Sequence, residues 1–357
     1  LGPKYGGDVE WYIAAAEGHL SELIQPYSAR FLHPFLVGFL DRILQIDLYQ
    51  TFAVVSVVSL FLFFVLNSYI LKDIIKKPLI LLPLFALPFF FDALRYIFHP
   101  DTFYLLLTAL FFLALFYKRE DLGLFTLFLL FLTRESTILL GVIFIILSWI
   151  RSKKILAVAA LVVVVISLTT TNIISSIGEP NIHNLGNFVY LALKFSYNFM
   201  NNVFGARFWA NTHTTCEPVI QSNLPSFLTL GSIKQVGFCG FDFLQPLKTL
   251  VVLLTTFGIA PLLLGREIFK KPKEIFSANG GSAPGGKDLP FWALVALVYG
   301  LVQYFVAIPA GTGVFRLVGY AWTAFLLLVP LLMQKVFSFD KSFLIKLSSL
   351  HLFVAWF

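Results

Sequence analysis

Long apolar blocks alternate with short polar joints along most of this 357-residue chain. The apolar residues run continuously instead of recurring on one face of a helix, which is the pattern of segments that cross a membrane. We therefore predict an all-α, polytopic membrane protein, a bundle of about ten transmembrane helices with interfacial helices and an outer loop region. The predicted single spans lie at about 48–71, 78–94, 102–117, 155–171, 244–265, 290–308, 315–333 and 342–357.

One further apolar block, at about 122–150, is interrupted by Thr133-Arg134-Glu135-Ser136. Its two halves are short for a full crossing, which takes about 20 residues. We predict a hairpin of two short helices, because a single tilted span would move every later joint to the opposite face of the membrane. The hairpin carries Arg134 and Glu135 into a protein cavity at or below the far surface.

Two stretches are too polar to cross a bilayer. Residues 1–47 are predicted as an outer acidic loop, in which 11–19 forms a short helix and 35–46 an amphipathic helix along the membrane interface. Residues 172–243 are predicted as a large outer loop. We expect both to belong to a single transmembrane unit covering 1–357, because no soluble-looking block is long enough to be a second domain.

Charge patterning sets the predicted orientation. Charged residues make up 13% of the chain and hydrophobic residues 58%, whereas a soluble domain carries about 25% charged residues. The formal charge of +7 comes from short basic clusters between apolar blocks, the pattern of the positive-inside rule, so we exclude nucleic-acid binding. Alternating spans place a flexible Gly/Ser-rich linker, 277–287, and the lysine-rich joints in the cytoplasm. These joints are 72–77, 118–119, 151–154, 266–273 and 335–346.

The opposite, extracytoplasmic face collects arginines and acids but few lysines. Arginine offers a rigid planar fork that matches phosphate or carboxylate, so arginines on this face indicate anion binding at the membrane surface. Arg134 stands out, because an ionisable side chain between apolar half-spans is costly and is a functional candidate by default. The alternative for each arginine is a structural ion pair or an exposed loop position. The residues collected on this face are Asp8, Glu10, Arg30, Asp92, Arg95, His99, Asp101, Arg134, Glu135, Arg207, His213 and Arg316.

Asp8 follows two glycines, Gly6 and Gly7, which permit a tight turn and a close approach of substrate. A carboxylate in that position could act as a general base on a hydroxyl. It could equally cap the helix that starts near Val9, since aspartate is a favoured capping residue. The two roles do not exclude each other.

The run His99-Pro100-Asp101 has two interpretations. It could bind a phosphate or a divalent metal, or Asp101 could cap the helix of the third span. The other histidines show no ligand spacing, so no cofactor is assigned and a divalent metal stays an alternative. Cys216 and Cys239 lie on the predicted outer loop, where they could form one disulfide that closes the loop.

Three short motifs resemble those of the GT-C superfamily of integral-membrane glycosyltransferases. Gly7-Asp8 followed by Tyr12 heads an outer loop with an interfacial helix, the run Tyr27-x-x-Arg30-x-x-x-Pro34 follows, and Thr133-Arg134-Glu135 sits between short membrane helices. This chain differs from the superfamily pattern in two ways. Its transmembrane helix before the acidic loop has no counterpart within these residues, and its pair of adjacent acids is replaced by Asp8 and Glu10 with a valine between them.

The resemblance implies an inverting transfer of a sugar from a polyprenyl-phosphate carrier to a hydroxyl of a lipid, glycan or protein acceptor. The active site would lie on the extracytoplasmic side of a multi-pass membrane protein, with the apolar chain of the donor in a groove between spans. Asp8, with Glu10 beside it, would deprotonate the acceptor, and arginines would stabilise the charge that builds on the carrier phosphate. The residues that would hold the phosphate are Arg95, Arg134, Arg207 or Arg316, with Arg30, His99, Asp101 and Glu135 as further candidates for substrate binding.

Two other function classes stay open. A lipid-linked polysaccharide polymerase or ligase would also hold a lipid phosphate with outer-face arginines, but the acid would be dispensable. A transporter or flippase would place polar residues near the bilayer midplane and would often contain internal repeats. The polar residues here concentrate at one face and no repeat is evident, so transport is the less favoured of the two.

Overall fold

The computed structural model describes residues 8–23, 27–74, 84–177, 188–210, 216–223, 235–270, 289–311, 313–330 and 341–356, most of them helical. The predicted linker at 277–287 lies outside the described residues, as do His213 and the first part of the predicted span 78–94.

Seventeen helices and strands are labelled here in chain order, and a π-helical turn, Thr323–Leu328, follows α13. The bounds are α1 Val9–Glu17, α2 Leu32–Leu44, α3 Leu48–Ile74, α4 Pro88–Arg95, α5 Asp101–Phe116, α6 Glu120–Thr133, α7 Thr137–Ile150, α8 Lys154–Ser175, α9 Phe188–Phe204, β1 Ala206–Ala210, β2 Ile220–Asn223, β3 Gln235–Phe241, α10 Leu244–Thr255, α11 Ala260–Lys270, α12 Phe291–Ala310, α13 Val314–Gly319 and α14 Lys341–Trp356.

Three helices of the described part are long and apolar enough to cross a membrane, namely Leu48–Asp73, Lys154–Ser175 and Phe291–Ala310. The number rises to four if α10 and α11 are taken as one broken span. Other apolar helices, such as Asp101–Phe116 and Thr137–Ile150, have 10–17 residues. The structure therefore supports a mostly helical protein with three to four spanning helices. The lengths of the described helices do not support the predicted number of about ten spans.

The predicted interruption between α6 and α7 is present. Arg134 has an extended backbone with φ −160° and ψ 133°, so the helix stops at Thr133. The hydroxyl of Thr137 donates at 3.0 Å to the carbonyl of Leu130, which also accepts the backbone N–H of Arg134 at 2.9 Å, and this bond ties the start of α7 to the end of α6. The polar residues Arg134 and Glu135 are thus held in a short connection between two apolar helices.

The predicted span 244–265 is not one straight helix, because the chain bends by 74° between α10 and α11. Gly258 has φ +56° and packs against the ring of His351 in α14, where a Cβ atom would lie 2.6 Å from Nδ1. The hydroxyls of Thr255 and Thr256 donate to carbonyls one turn back, at 2.7 and 2.6 Å, a bonding pattern that bends helices. A glycine in the left-handed region then ends α10.

A small antiparallel sheet corrects the prediction of an all-α fold. Its strand order is β1-β3-β2, and a disulfide between Cys216 and Cys239, with an S–S distance of 2.06 Å, ties the segment before β2 to β3. Helix α9 also lies within the stretch that was predicted as loop. Strands of four to seven residues do not produce a long apolar block in the sequence. Their aromatic residues, which are favoured in strands, were the one feature that could have predicted them.

A small second core holds the N-terminal helices against the bundle. The buried residues of α1 recur on one face of that helix, the pattern of a helix packed on one side. Gly38 of α2 sits against the backbone of Ala16, where a Cβ atom would overlap the carbonyl oxygen. This packing brings the start of α1 over the loop before α5. The side chains of this core are Val9, Tyr12, Ala16, Val37, Phe52, Val55 and Phe98.

Candidate functional site at one end of the helices

Ten side chains from separate segments form one connected network, here called the polar cluster. They come from the start of α1, the turn that follows it, the start of α5, the connection between α6 and α7, and the region of α13. The members are Asp8, Tyr12, Tyr27, Arg30, His99, Asp101, Arg134, Glu135, Arg316 and Tyr320.

Asp101 is the centre of the inner part of the cluster and is fully buried. Arg134 Nη1 donates to its Oδ1 at 2.5 Å, as does the hydroxyl of Tyr320 at 2.5 Å, and Arg316 Nε lies 3.4 Å from Oδ2. The guanidinium of Arg134 also covers the ring of Tyr320, 4.7 Å from its centroid. A buried carboxylate needs such compensation, because an isolated charge away from water is costly.

Asp101 does not cap α5, which corrects the capping interpretation. Pro100 occupies the position before the helix, and Asp101 is its first residue. The carboxylate instead bonds to Arg134 and Tyr320, which lie far along the chain. Its role in this structure is to join three segments.

Arg30 and Glu135 form a second ion pair, with two hydrogen bonds between the guanidinium and the carboxylate. Arg30 Nε donates to Glu135 Oε2 at 2.8 Å, Nη2 donates to Oε1, and Nη1 donates to the hydroxyl of Tyr12 at 3.1 Å. Such fork-to-fork pairs are geometrically specific. Burial opposes ionisation of Glu135, but the charge and hydrogen bonds of Arg30 outweigh it and lower the pKa of Glu135 to about 2.

Arg316 and His99 form the more open part of the cluster. Arg316 Nη1 lies 3.1 Å from His99 Nδ1, and because arginine only donates, Nδ1 is the acceptor. Burial lowers the pKa of His99 to about 4, with Asp101 opposing the shift and Arg316 adding to it, so the ring is neutral at neutral pH. The Arg316 side chain is 27% exposed, against 10% for Arg30 and 4% for Arg134, so Arg316 is the arginine of the cluster that can best reach a ligand.

Asp8 lies at the edge of the cluster, at the start of α1. It occupies the capping position, but its side chain makes no capping hydrogen bond. Burial together with the Asp8 carboxylate raises the pKa of Tyr27. Asp8 also acts electrostatically on His99, the residue whose ring accepts a hydrogen bond from Arg316.

Three predicted site residues lie outside the cluster. Glu10 is exposed on α1, because the inward face of that helix is formed by Val9 and Tyr12. Arg95 is exposed in the last turn of α4. Arg207 is half-buried on β1, where its backbone pairs with Gly240 of β3. Of the predicted acid pair, the cluster therefore contains only Asp8. Of the predicted phosphate-binding arginines, it contains Arg134 and Arg316.

Two members of the neighbourhood were not singled out from the sequence. Tyr320 follows Arg316 by four residues, a helical spacing that would have placed both on one face. Lys194 of α9 is half-buried. Burial lowers the pKa of this lysine, and the charge of Glu135 opposes the shift, so its ammonium group is close enough to Glu135 to interact with the cluster. No signal identified Lys194, because its helix lies in a stretch predicted as loop.

For a divalent metal at His99 and Asp101, the described residues offer no third ligand. In the part of the chain that the structure describes, no group of three or more histidine, cysteine, aspartate or glutamate side chains could hold a metal ion. Arg316 bridges His99 and Asp101 instead. Arg134 and Arg316 face the Asp101 carboxylate, so the acid next to His99 is already paired with cationic side chains.

The outward part of the cluster therefore combines a carboxylate, a neutral imidazole and cationic side chains. The chain matches no family model, and no curated protein or solved structure is significantly similar to it. The interpretation of the site consequently depends on its own geometry and on the three short motifs.

Proposed function

We propose that this protein is a membrane glycosyltransferase that moves a sugar from a polyprenyl-phosphate carrier to an acceptor hydroxyl, with inversion at the anomeric carbon. The observation that supports the proposal is that His99, at one end of the apolar helices, accepts a hydrogen bond from Arg316 and lies within the electrostatic reach of Asp8. The proposed bundle is GT-C-like, with the shorter apolar helices completing the membrane part and the cluster on the extracytoplasmic side.

Asp8 is the proposed general base. Its carboxylate acts on the neighbouring Tyr27, and a carboxylate has acceptor positions for an incoming hydroxyl. As Asp8 takes the proton, the acceptor oxygen attacks the anomeric carbon from the side opposite the phosphate. The carbon–oxygen bond to the phosphate breaks, and its electron pair stays on the carrier phosphate. Positioned proton transfer of this kind contributes about 10²–10⁴-fold to a rate.

Arg316 is the proposed partner of the departing phosphate. The phosphate gains charge as the sugar leaves, and preformed cationic donors stabilise such charge more than the ground state. Arg316 is the most exposed of the three cluster arginines, and Lys194 is a further cation within the electrostatic reach of Glu135. Arg30 and Arg134 are held by Glu135 and Asp101, so they position the site instead of binding the donor.

The proposed donor fits the surroundings of the site. Its phosphate is charged and its carrier is a long hydrocarbon, so the enzyme must offer cations beside apolar helix surface. The cluster borders the start of α5, whose mostly apolar sequence beyond Asp101 is largely buried. Large apolar side chains of the neighbouring α3, such as Val57 and Phe61, are exposed, as expected for a surface that faces hydrocarbon.

A labelled donor separates the three function classes. Purified protein in lipid vesicles would receive a polyprenyl-phosphate carrier with a radiolabelled sugar, together with candidate hydroxyl acceptors. We expect release of free carrier phosphate and a labelled acceptor. Carrier that crosses the bilayer with its sugar still attached would contradict the proposal and favour transport. Turnover that survives loss of the acid would favour the polymerase or ligase instead.

A further inference from the structure

The joint between α5 and α6 lies beside the joint between α7 and α8, because Lys153 in one forms an ion pair with Glu120 at the other. The two turns also share a backbone conformation, since Lys118 and Ser152 have φ of 59° and 58°. In each turn the next residue donates its N–H to a carbonyl five residues earlier. Two similar turns are thus fixed next to each other at the lysine-rich end of the helices.

The acids at these joints are already used. Glu120 pairs with Lys153, and Asp121 pairs with Arg119 at 3.1 Å. Among the residues that the structure describes, no carboxylate pairs with the three remaining basic side chains. These are Lys118, Arg151 and Lys154. The two joints, which the Glu120–Lys153 pair links, therefore carry three more basic than acidic side chains.

Arg151 carries a specific sign of a missing partner. It is half-buried, and its Nε atom is shielded from solvent without a hydrogen-bond partner in the described structure. A buried N–H donor that stays unpaired is costly. Because protein atoms cover Nε, an acceptor from outside the protein would bind the other nitrogens of the guanidinium. The backbone N–H groups of both turns are already bonded to carbonyls, so side chains are the donors left for an anion.

The surface next to these charges is apolar and exposed. Ile155 is 89% and Trp149 57% exposed, and the ammonium group of Lys154 lies 5.8 Å from the centroid of the Trp149 ring. Lys154 is also the first residue of α8, one of the helices long enough to cross a membrane. The basic group therefore lies at the boundary of the apolar zone, where a lipid headgroup would be.

We propose that Lys118, Arg151 and Lys154 bind the phosphate of an anionic membrane lipid, whose acyl chains run along Trp149 and Ile155. Basic groups between neighbouring helices are the sites at which acidic headgroups are recognised. The positive-inside rule requires only positive charge at the cytoplasmic ends of the spans. Lipid binding at this site also requires the unpaired Arg151 side chain and the apolar surface beside it.

Native mass spectrometry of the purified full-length protein tests this directly. The protein would be equilibrated with equal amounts of phosphatidylglycerol and phosphatidylcholine, and retained lipid would be counted. We expect preferential retention of phosphatidylglycerol. Both Arg151→Gln and the fully exposed Lys154→Gln should weaken it about fivefold each, the effect of one basic group at a membrane surface. Arg119→Gln is the matched control, because Asp121 already neutralises Arg119, and its retention should equal that of the unmodified protein.

Three results would overturn the proposal. Equal retention of both lipids would show that the headgroup charge is not recognised. Thermal stabilisation by inorganic phosphate equal to that by phosphatidylglycerol would show a site for a free anion, without a role for the acyl chains. An unchanged lipid preference in both Arg151→Gln and Lys154→Gln would likewise remove these residues as the binding site.

Discussion

Asp8→Asn is expected to reduce sugar transfer by about 10²–10⁴-fold, the usual contribution of a positioned general base. Asparagine keeps the size of the side chain, but it cannot take a proton from the acceptor. The donor should still bind, because its phosphate is assigned to Arg316. The measurement is the rate of labelled product formed by purified variant and unmodified protein at several donor concentrations, and the loss should fall on kcat more than on KM.

Glu17→Gln is the matched control for this experiment. Glu17 lies on the same helix α1, is exposed, and loses the same charge when replaced. Its transfer rate should stay that of the unmodified protein, and both variants should elute and melt like it. Full activity of Asp8→Asn would remove Asp8 as the base and would favour a polymerase or ligase in which the arginines alone carry the reaction.

Asp101→Asn is expected to destabilise the folded protein by about 3–5 kcal/mol, the usual cost of breaking a buried ion pair. The change removes the charge that faces both Arg134 and Arg316, and Arg134 is almost completely buried. An uncompensated guanidinium would then stay in a site away from water. Thermal unfolding in detergent should show a clearly lower midpoint.

The comparison for this second prediction is Asp121→Asn. Asp121 also pairs with an arginine, Arg119, but both side chains are mostly exposed, and exposed pairs contribute little to stability. Its melting temperature should match that of the unmodified protein. If Asp101→Asn melted at the same temperature as well, the cluster would not be the structural centre of this end of the molecule.

Much of the layout could be predicted from the sequence, because polar residues inside or between apolar blocks are costly and therefore informative. Thr133-Arg134-Glu135-Ser136 predicted the break between α6 and α7. The alternation of apolar blocks predicted that residues near 8, 99, 134 and 316 would lie on one face, and the structure brings these segments into contact.

The pairing inside the cluster could not be predicted in the same way. Arg30 and Glu135 are 105 residues apart, and Asp101 and Tyr320 are 219 apart. Sidedness restricts which charges can meet but does not choose partners among several arginines and acids. Arg134, expected to hold phosphate, is paired with Asp101 in the structure, while the side chain of Arg316 is more exposed.

Helices and strands with short or interrupted sequence patterns could not be predicted from the sequence either. The sheet formed by β1 to β3 and the helix α9 lie in a stretch predicted as a loop, since neither contributes a long apolar run. The bend between α10 and α11 depends on Gly258 packing against His351, a contact between segments far apart in the chain. Local propensity carries no information about such a contact.

The central claim of this account is that the polar cluster opens on the extracytoplasmic face, and cysteine labelling tests it most directly. The chain has two cysteines, which are joined in a disulfide, so an added cysteine is the sole reactive thiol. Glu17→Cys marks the cluster end, and Lys72→Cys, exposed at the far end of α3, marks the lysine-rich end. In sealed right-side-out vesicles a membrane-impermeant maleimide should label Glu17→Cys, and Lys72→Cys only after permeabilisation. Labelling of Lys72→Cys alone before permeabilisation, or of both cysteines from one side, would contradict the account.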